Sequence, residues 1–167
     1  MFKLEFVQID YDTIASPKQK RAREHECAYS LLDKMLKEAG ISSHEILRGQ
    51  NGKPHLKGEK IHFNLSHTEG FAVVCLSDTE IGVDCEKIDP AFAPKIEAFS
   101  KRYFLENELS YLKKNDFSPS CFFEIWTKKE AYIKKYGLNA GALSKIDTTK
   151  ETFECMRVGE YIISIFK

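Results

Sequence analysis

The sequence predicts an α+β chain in two halves, and two features of its pattern lead to that prediction. Short runs of alternating or continuously apolar residues, typical of strands, begin and end the chain and form a group near its middle. Segments with apolar residues three and four positions apart, typical of helices, separate these runs. The resulting order is β-α-β-β followed by β-α-α-β-β, with no repeat visible at the level of individual residues.

The first helix is predicted over residues 18–39, directly after Pro17 and before Gly40. Proline suits the start of a helix, and glycine suits the left-handed position that ends one. The apolar positions that follow the helical spacing are Ala28, Leu31, Leu32, Met35, Leu36 and Ala39. Residues 49–60, GQNGKPHLKGEK, contain Asn-Gly and Lys-Pro steps and therefore predict a turn-rich connection.

The sheet is expected where the runs HFNLSH, FAVVCL and IGVDCE follow one another. The four residues SDTE join the last two runs, a length typical of a hairpin. One helix is predicted over about residues 95–114, and another begins at Ser118-Pro119 and ends at Gly137. The runs TFECMRV and EYIISIF predict a closing hairpin.

Composition limits the classes of function. The chain has 167 residues with 43% apolar content, enough for a core, and its 25 basic and 25 acidic residues cancel. A balanced charge argues against nucleic acid or an anionic membrane as the partner. With no basic leader and no long apolar run, the sequence predicts a soluble, cytoplasmic protein. The five cysteines are odd in number and lack CxxC spacing, which argues against a disulfide scaffold and a zinc site.

Asp84 and Glu86 are the first residues that folding alone does not explain. They lie two positions apart, so on an extended strand both carboxylates face one side while Cys85 faces the other. Two adjacent carboxylates repel each other unless a cation lies between them, and hard oxygen ligands suit Mg²⁺. For an isolated pair of this kind, a solvated strand end remains the simpler interpretation.

Lys129 is the second such residue, because it falls near the centre of an apolar stripe on the last helix. The stripe consists of Phe122, Ile125, Trp126, Ile133 and Tyr136. Either the lysine extends past the aromatic residues to water, or an anion at the end of the stripe holds its charge. Glu130 and Lys134, four positions apart, could form an ordinary surface ion pair.

His67 ends an apolar strand, with Ser66 beside it and Lys53 upstream. Together these residues would form a small anion-binding group, whereas a single histidine at a strand end is usually a hydrogen-bonded surface residue.

The motifs GKP (52–54), FNLSH (63–67), IGVDCE (81–86) and WTKKEAYIK (126–134) occur in the order seen in phosphopantetheinyl transferases. The chain resembles the type in this superfamily that activates surfactin synthetase. The resemblance implies a monomer of two similar α+β halves related by a pseudo-twofold axis, each a small antiparallel sheet with a long helix. We expect the halves to be residues 1–78, with the GKP and FNLSH motifs, and residues 79–167, with the IGVDCE and WTKKEAYIK motifs.

The resemblance also implies an activity: transfer of the 4′-phosphopantetheine arm of coenzyme A to a serine of an apo acyl or peptidyl carrier protein, with Mg²⁺ and release of adenosine 3′,5′-bisphosphate. The implied metal ligands are Asp84, Glu86 and Glu130. Glu130 is also the implied base toward the serine, directly or through metal-bound water. The other implied coenzyme A contacts are Lys53, Ser66 and His67 around the 3′-phosphate, Lys129 and Lys134 at the diphosphate, and Pro54 and Asp84. Both lysines would take part in catalysis.

Two alternatives stay open at this point. A degenerate relative would bind coenzyme A or a carrier without transferring anything, and a different Mg²⁺-dependent phosphoryl enzyme would also use a DxE pair with a distant glutamate. The N-terminal region does not align with the family, so Lys20, Arg21 and Ser30 are only candidate cofactor contacts. The sequence does not identify the carrier or its pathway, whether fatty-acid, polyketide or nonribosomal peptide synthesis.

Overall fold

Strands and α-helices follow one another in the predicted order, with one additional short hairpin and with one predicted helix divided into two. The structure is a computed structural model that describes residues 1–11, 16–58 and 60–167. Its strands are β1 (Phe2–Gln8), β2 (Ile46–Arg48), β3 (Pro54–Leu56), β4 (His62–Thr68), β5 (Phe71–Ser77), β6 (Gly82–Lys87), β7 (Glu154–Val158) and β8 (Tyr161–Phe166). Its α-helices are α1 (Pro17–Glu38), α2 (Ala93–Tyr103), α3 (Glu106–Lys114) and α4 (Pro119–Tyr136).

The two long helices begin and end where local chemistry predicts. The Ser16 hydroxyl accepts a hydrogen bond from the Gln19 amide at the start of α1, and the Ser118 hydroxyl accepts one from the Cys121 amide at the start of α4. Gly137 ends α4 in the left-handed conformation, with φ of 59°. The predicted bounds of both helices are therefore confirmed.

The chain forms two three-stranded antiparallel sheets of the same topology. In one sheet the order is β1-β5-β4, and in the other it is β6-β8-β7, so in each the last strand along the chain lies in the middle. The helix α1 packs on the first sheet and α4 packs on the second. The predicted α+β class, with a small antiparallel sheet and a long helix in each half, is confirmed. The division at residue 78 stays a prediction.

A shared core joins the two sheets. Apolar side chains of β5, β6 and β8 pack together in a single buried cluster: Phe71, Val73, Cys75, Ile81, Val83, Cys85, Tyr161, Ile163 and Ile165. The buried Asn64 of β4 adds a polar link, since its Oδ1 accepts a hydrogen bond from the Val83 amide of β6 at 2.8 Å. The first half of β4 and the start of β6 are thereby held side by side at the seam between the halves.

Three predictions about elements need correction. The runs joined by SDTE do not form a hairpin, because both edges of β5 already pair with β1 and β4 while β6 pairs with β8. The single helix predicted over residues 95–114 is two helices, separated where Phe104 and Leu105 take extended backbone angles. The segment 49–60 contains more than turns: outside Glu59, which lies beyond the described residues, it includes β3, paired with β2.

Candidate active site at the seam of the two halves

The strand β6 places two carboxylates of the IGVDCE motif on the face opposite the core. Cys85 is buried in the shared apolar cluster, so Asp84 and Glu86 on either side of it face the other way, as the spacing predicts. That face is covered by α4, which packs very closely on β6. Gly82 permits this approach, because a Cβ atom there would lie only 1.9 Å from the Ala131 carbonyl oxygen. Sequence motifs far apart in the chain thus meet at one place.

Asp84 lies at the centre of this meeting point. Its Oδ1 accepts a hydrogen bond from Lys134 Nζ at 2.6 Å and one from Ser66 Oγ at 2.8 Å, and Lys134 also donates to Ser66 at 2.7 Å. Burial by itself lowers the pKa of Lys134, but the Asp84 charge outweighs it, so the pKa is raised and the ammonium stays charged. Asp84 Oδ2 is buried and has no hydrogen-bond partner within the described structure. A buried oxygen of this kind needs a donor or a cation.

Glu86 and Glu130 extend the acidic group. Burial, and then the neighbouring charge of Asp84, raises the pKa of Glu86 to about 7, and Glu86 Oε2 accepts a hydrogen bond from Thr68 at 3.1 Å. The same two causes raise the pKa of Glu130. The three carboxylates are close enough to perturb one another electrostatically, which, with the unpartnered Asp84 oxygen, fits a bound cation. In the described conformation no three His, Cys, Asp or Glu side chains are grouped tightly enough to ligate one.

A cleft of about 360 Å³ lies beside the acidic group, between the GKP segment and α4. The predicted residues Lys53, Pro54 and Lys134 line it. Further lining residues that the sequence analysis did not identify are His25, Tyr29, Arg48, Asn51, Asn64 and Leu138. Asn51 also closes one end of the cleft, because its side-chain amide donates to the Gly137 carbonyl at 2.8 Å. The cleft therefore has basic, aromatic and amide groups on walls from both halves.

Lys53, Ser66 and His67, predicted around one phosphate, do not share one cavity. Ser66 and His67 are neighbours on an extended strand and contact opposite partners: Ser66 faces Asp84 and Lys134, whereas His67 faces Glu24 of α1. Lys53 lies on the wall of the first cleft, where its ammonium contacts Glu80 and the Lys135 carbonyl. The described conformation does not bring the three residues to one phosphate site, and their assignment to the 3′-phosphate stays a prediction.

His67 instead lines a second cavity, of about 520 Å³, together with Lys20 and Arg21. The two basic residues were candidate cofactor contacts, and the structure brings both of them to His67. Ser30, the third candidate, lies on the exposed side of α1 away from this cavity, next to Asp33 and Lys34.

Lys129 is held by partners that the sequence did not predict. Its side chain is fully buried, and Nζ contacts Glu108 Oε2 at 2.8 Å, the Ile146 carbonyl at 2.6 Å and the Leu143 carbonyl at 3.1 Å. The alternative that an anion holds its charge is therefore correct, but the anion is a carboxylate of α3. These acceptors belong to α3 and to the segment 143–146, so in the described conformation the ammonium belongs to a buried structural ion pair. Contact with the diphosphate, and a catalytic role, stay predictions that no contact of Lys129 in the described residues supports.

Comparison with known proteins identifies the superfamily to which the chain belongs. A family model described as the 4′-phosphopantetheinyl transferase superfamily matches residues 80–164, which is about half of the chain and includes all three carboxylates. The chain belongs to this superfamily, and the resemblance found in its motifs is confirmed.

Curated relatives carry the same description. The chain is 36% identical over 107 residues to the 4′-phosphopantetheinyl transferase gsp of Aneurinibacillus migulanus, covering 62% of this chain and 43% of the relative. It is 35% identical over 88 residues to HetI of a Nostoc species, covering 51% and 36%, and 31% identical over 112 residues to AcpT of Salmonella typhi, covering 63% and 56%. These matches span about half the length of the relatives or less.

No helix within the described residues has the length and apolar character needed to cross a membrane.

Proposed function

We propose that this protein transfers the 4′-phosphopantetheine arm of coenzyme A to a serine hydroxyl of an apo acyl or peptidyl carrier protein. The observation that carries the proposal is the meeting of Asp84, Glu86, Glu130 and Lys134 at the seam, beside a cleft lined by the GKP segment. In the reaction, the serine oxygen bonds to the phosphorus that carries pantetheine, and the bond to the leaving group breaks. Adenosine 3′,5′-bisphosphate departs.

Each group has a role in this scheme. Lys134, charged and held by Asp84, supplies positive charge next to the diphosphate as negative charge grows on the leaving group. Glu130 accepts the serine proton, directly or through a water molecule, and its raised pKa favours that acceptance. Asp84, Glu86 and Glu130 would hold Mg²⁺, which when bound neutralises diphosphate charge.

Different parts of coenzyme A bind in two different cavities. The cleft beside Lys53 and Pro54 offers aromatic and amide groups, and the cavity at His67 offers Lys20 and Arg21 to a phosphate. A cytoplasmic monomer is part of the proposal. The location is supported by the five cysteines, none of which is paired, as expected in a reducing compartment.

One observation favours a second candidate, a protein that binds coenzyme A or a carrier without transfer. In the described conformation the three carboxylates are not grouped as a metal site, and Lys134 already neutralises Asp84. This candidate predicts coenzyme A binding that is insensitive to Mg²⁺.

The two candidates are separated by intact-mass measurement of apo carrier proteins from fatty-acid, polyketide and peptide synthesis. Each carrier is incubated with this protein, coenzyme A and Mg²⁺. We expect at least one carrier to gain the mass of one phosphopantetheine, and excess EDTA to abolish the gain. Asp84→Asn should abolish it as well. A gain that persists in EDTA would refute the metal-dependent mechanism, and coenzyme A binding without any gain would favour the second candidate.

A further inference from the structure

Glu24 is a buried carboxylate in a position where α1 otherwise buries apolar side chains. It lies four residues before Ala28 on the packed stripe of the helix, and only 6% of its surface is exposed. Its Oε1 accepts a hydrogen bond from the Tyr11 hydroxyl, and that hydroxyl accepts one from the Gly70 amide at 2.6 Å. Burying a carboxylate is costly unless its charge is matched, and a neutral phenol does not match it.

The other carboxylate oxygen of Glu24 faces His67. Oε2 lies 3.4 Å from His67 Nδ1, which is buried and has no hydrogen-bond partner in the described conformation. The rest of the imidazole lines the second cavity, together with Lys20, Arg21 and Thr68. One edge of the ring is thus turned to a buried acid, and the remainder is turned to a cavity whose charged lining consists of Lys20, Arg21, Glu24 and Glu69.

We propose that Glu24 is a positioning residue: its carboxylate orients the His67 imidazole and makes it an imidazolium donor to a phosphomonoester in the second cavity. The ligand group with this chemistry on coenzyme A is the 3′-phosphate, so the inference rests on the proposed function. A proton on Nδ1 would pair this orphaned nitrogen with Glu24 and leave the opposite ring nitrogen, Nε2, to donate to the phosphate. Glu24 also lines this cavity, but in this role it acts through His67.

The charged groups around His67 support this effect of Glu24 on the protonation of the imidazole. They come from every element packed near the ring: Lys20, Arg21, Glu24 and His25 of α1, Glu69 after β4, and Lys134 of α4. Burial lowers the pKa of His67, Glu24 acts against that change, and Lys134 and His25 reinforce it. Because its pKa is lowered in the free protein, the imidazole can take up a proton when a doubly charged phosphate binds.

The binding test compares coenzyme A with 3′-dephospho-coenzyme A by calorimetry, because only the first carries the phosphomonoester while both carry the diphosphate. Glu24→Gln should weaken coenzyme A by about tenfold or more, the scale of one charge-assisted hydrogen bond, and should change the dephospho compound little. Glu26→Gln is the matched control, since Glu26 is exposed on the same helix and pairs only locally with Arg23. Wild-type protein should take up protons on binding coenzyme A, and Glu24→Gln should take up fewer.

Two further measurements separate positioning from folding and from the proposed function. In ligand-free protein, NMR titration should show the His67 midpoint shifted to lower pH by Glu24→Gln. In a His67→Gln background, Glu24→Gln should no longer affect coenzyme A affinity. If Glu24→Gln does not fold, Tyr11→Phe, which keeps the carboxylate but removes its phenol donor, should show a smaller effect of the same sign.

The results of these measurements distinguish failure of the positioning role from failure of the proposed function. Equal weakening of both ligands, an unchanged His67 midpoint, or an effect that persists without His67 would overturn the positioning role while leaving the proposed function in place. A shifted midpoint in a protein that binds neither ligand would instead overturn the proposed function and the phosphate assignment together.

Discussion

Replacing Lys129 with methionine should destabilise the protein while leaving its affinity for coenzyme A nearly unchanged. The ammonium makes three contacts in a fully buried site, one with the Glu108 carboxylate and two with the carbonyls of Leu143 and Ile146. Methionine fills a similar volume but donates nothing, so Glu108 keeps a buried charge without its cation. Breaking a buried pair from one side typically costs about 3–5 kcal/mol.

The remaining contacts of Glu108 indicate how much unfolding free energy the Lys129→Met variant should lose. Its carboxylate still accepts hydrogen bonds from the Leu105 amide at 2.8 Å and from the Thr148 amide and hydroxyl at 3.0 and 2.7 Å. These bonds partly stabilise the charge, so we expect about 3 kcal/mol. Glu108→Gln combined with Lys129→Met should recover part of the loss, because no unpaired charge then remains.

Urea unfolding followed by the fluorescence of Trp126, the single tryptophan, measures this change. Lys128→Met is the matched control: Lys128 is the preceding residue, it forms an i,i+4 pair with Glu124, and its loss should cost less than about 1 kcal/mol. A Lys129→Met variant as stable as wild type would refute the structural assignment. A stable variant that loses coenzyme A affinity would instead support the predicted role of Lys129 at the diphosphate.

Two other substitutions test the geometry of the site. Gly82→Ala should destabilise the protein by roughly 3 kcal/mol or prevent folding, because its Cβ would collide with the backbone of α4. Gly49→Ala is the control: no atom lies nearer than 3.6 Å to a Cβ at that position, so the variant should melt close to wild type. Lys134→Ala should lower the single-turnover transfer rate by about 10²-fold or more, while the neighbouring Lys135→Ala should retain most of it; equal rates for the two variants would contradict the assignment of Lys134.

Local chemistry made much of the fold predictable. Serine and proline at the start of α4 and glycine at its end act within a few residues, so the sequence alone places both boundaries. Pairing between strands is not local in this way. The short SDTE connection suggests a hairpin, but the strands before and after it belong to different sheets because β1 and β4 already occupy both edges of β5.

The site was predictable in part for the same reason. The spacing of Asp84 and Glu86 fixes their common face, and α4 then covers that face. The partner of Lys129 could not be predicted, since Glu108 lies on another helix and nothing in the apolar stripe identifies it. Glu24 did leave a signal in the sequence: an acidic residue stands in line with the apolar positions of α1, four residues before Ala28.

The central claim is that the three carboxylates and Lys134 at the seam carry out phosphopantetheine transfer. The most direct test is the intact mass of an apo carrier protein after incubation with coenzyme A, Mg²⁺ and either wild type or Glu130→Gln. Wild type should add one phosphopantetheine to the carrier serine, and the folded Glu130→Gln variant should add it at least 10²-fold more slowly. Equal rates of addition by the two proteins, or a carrier mass that neither of them changes, would contradict the claim.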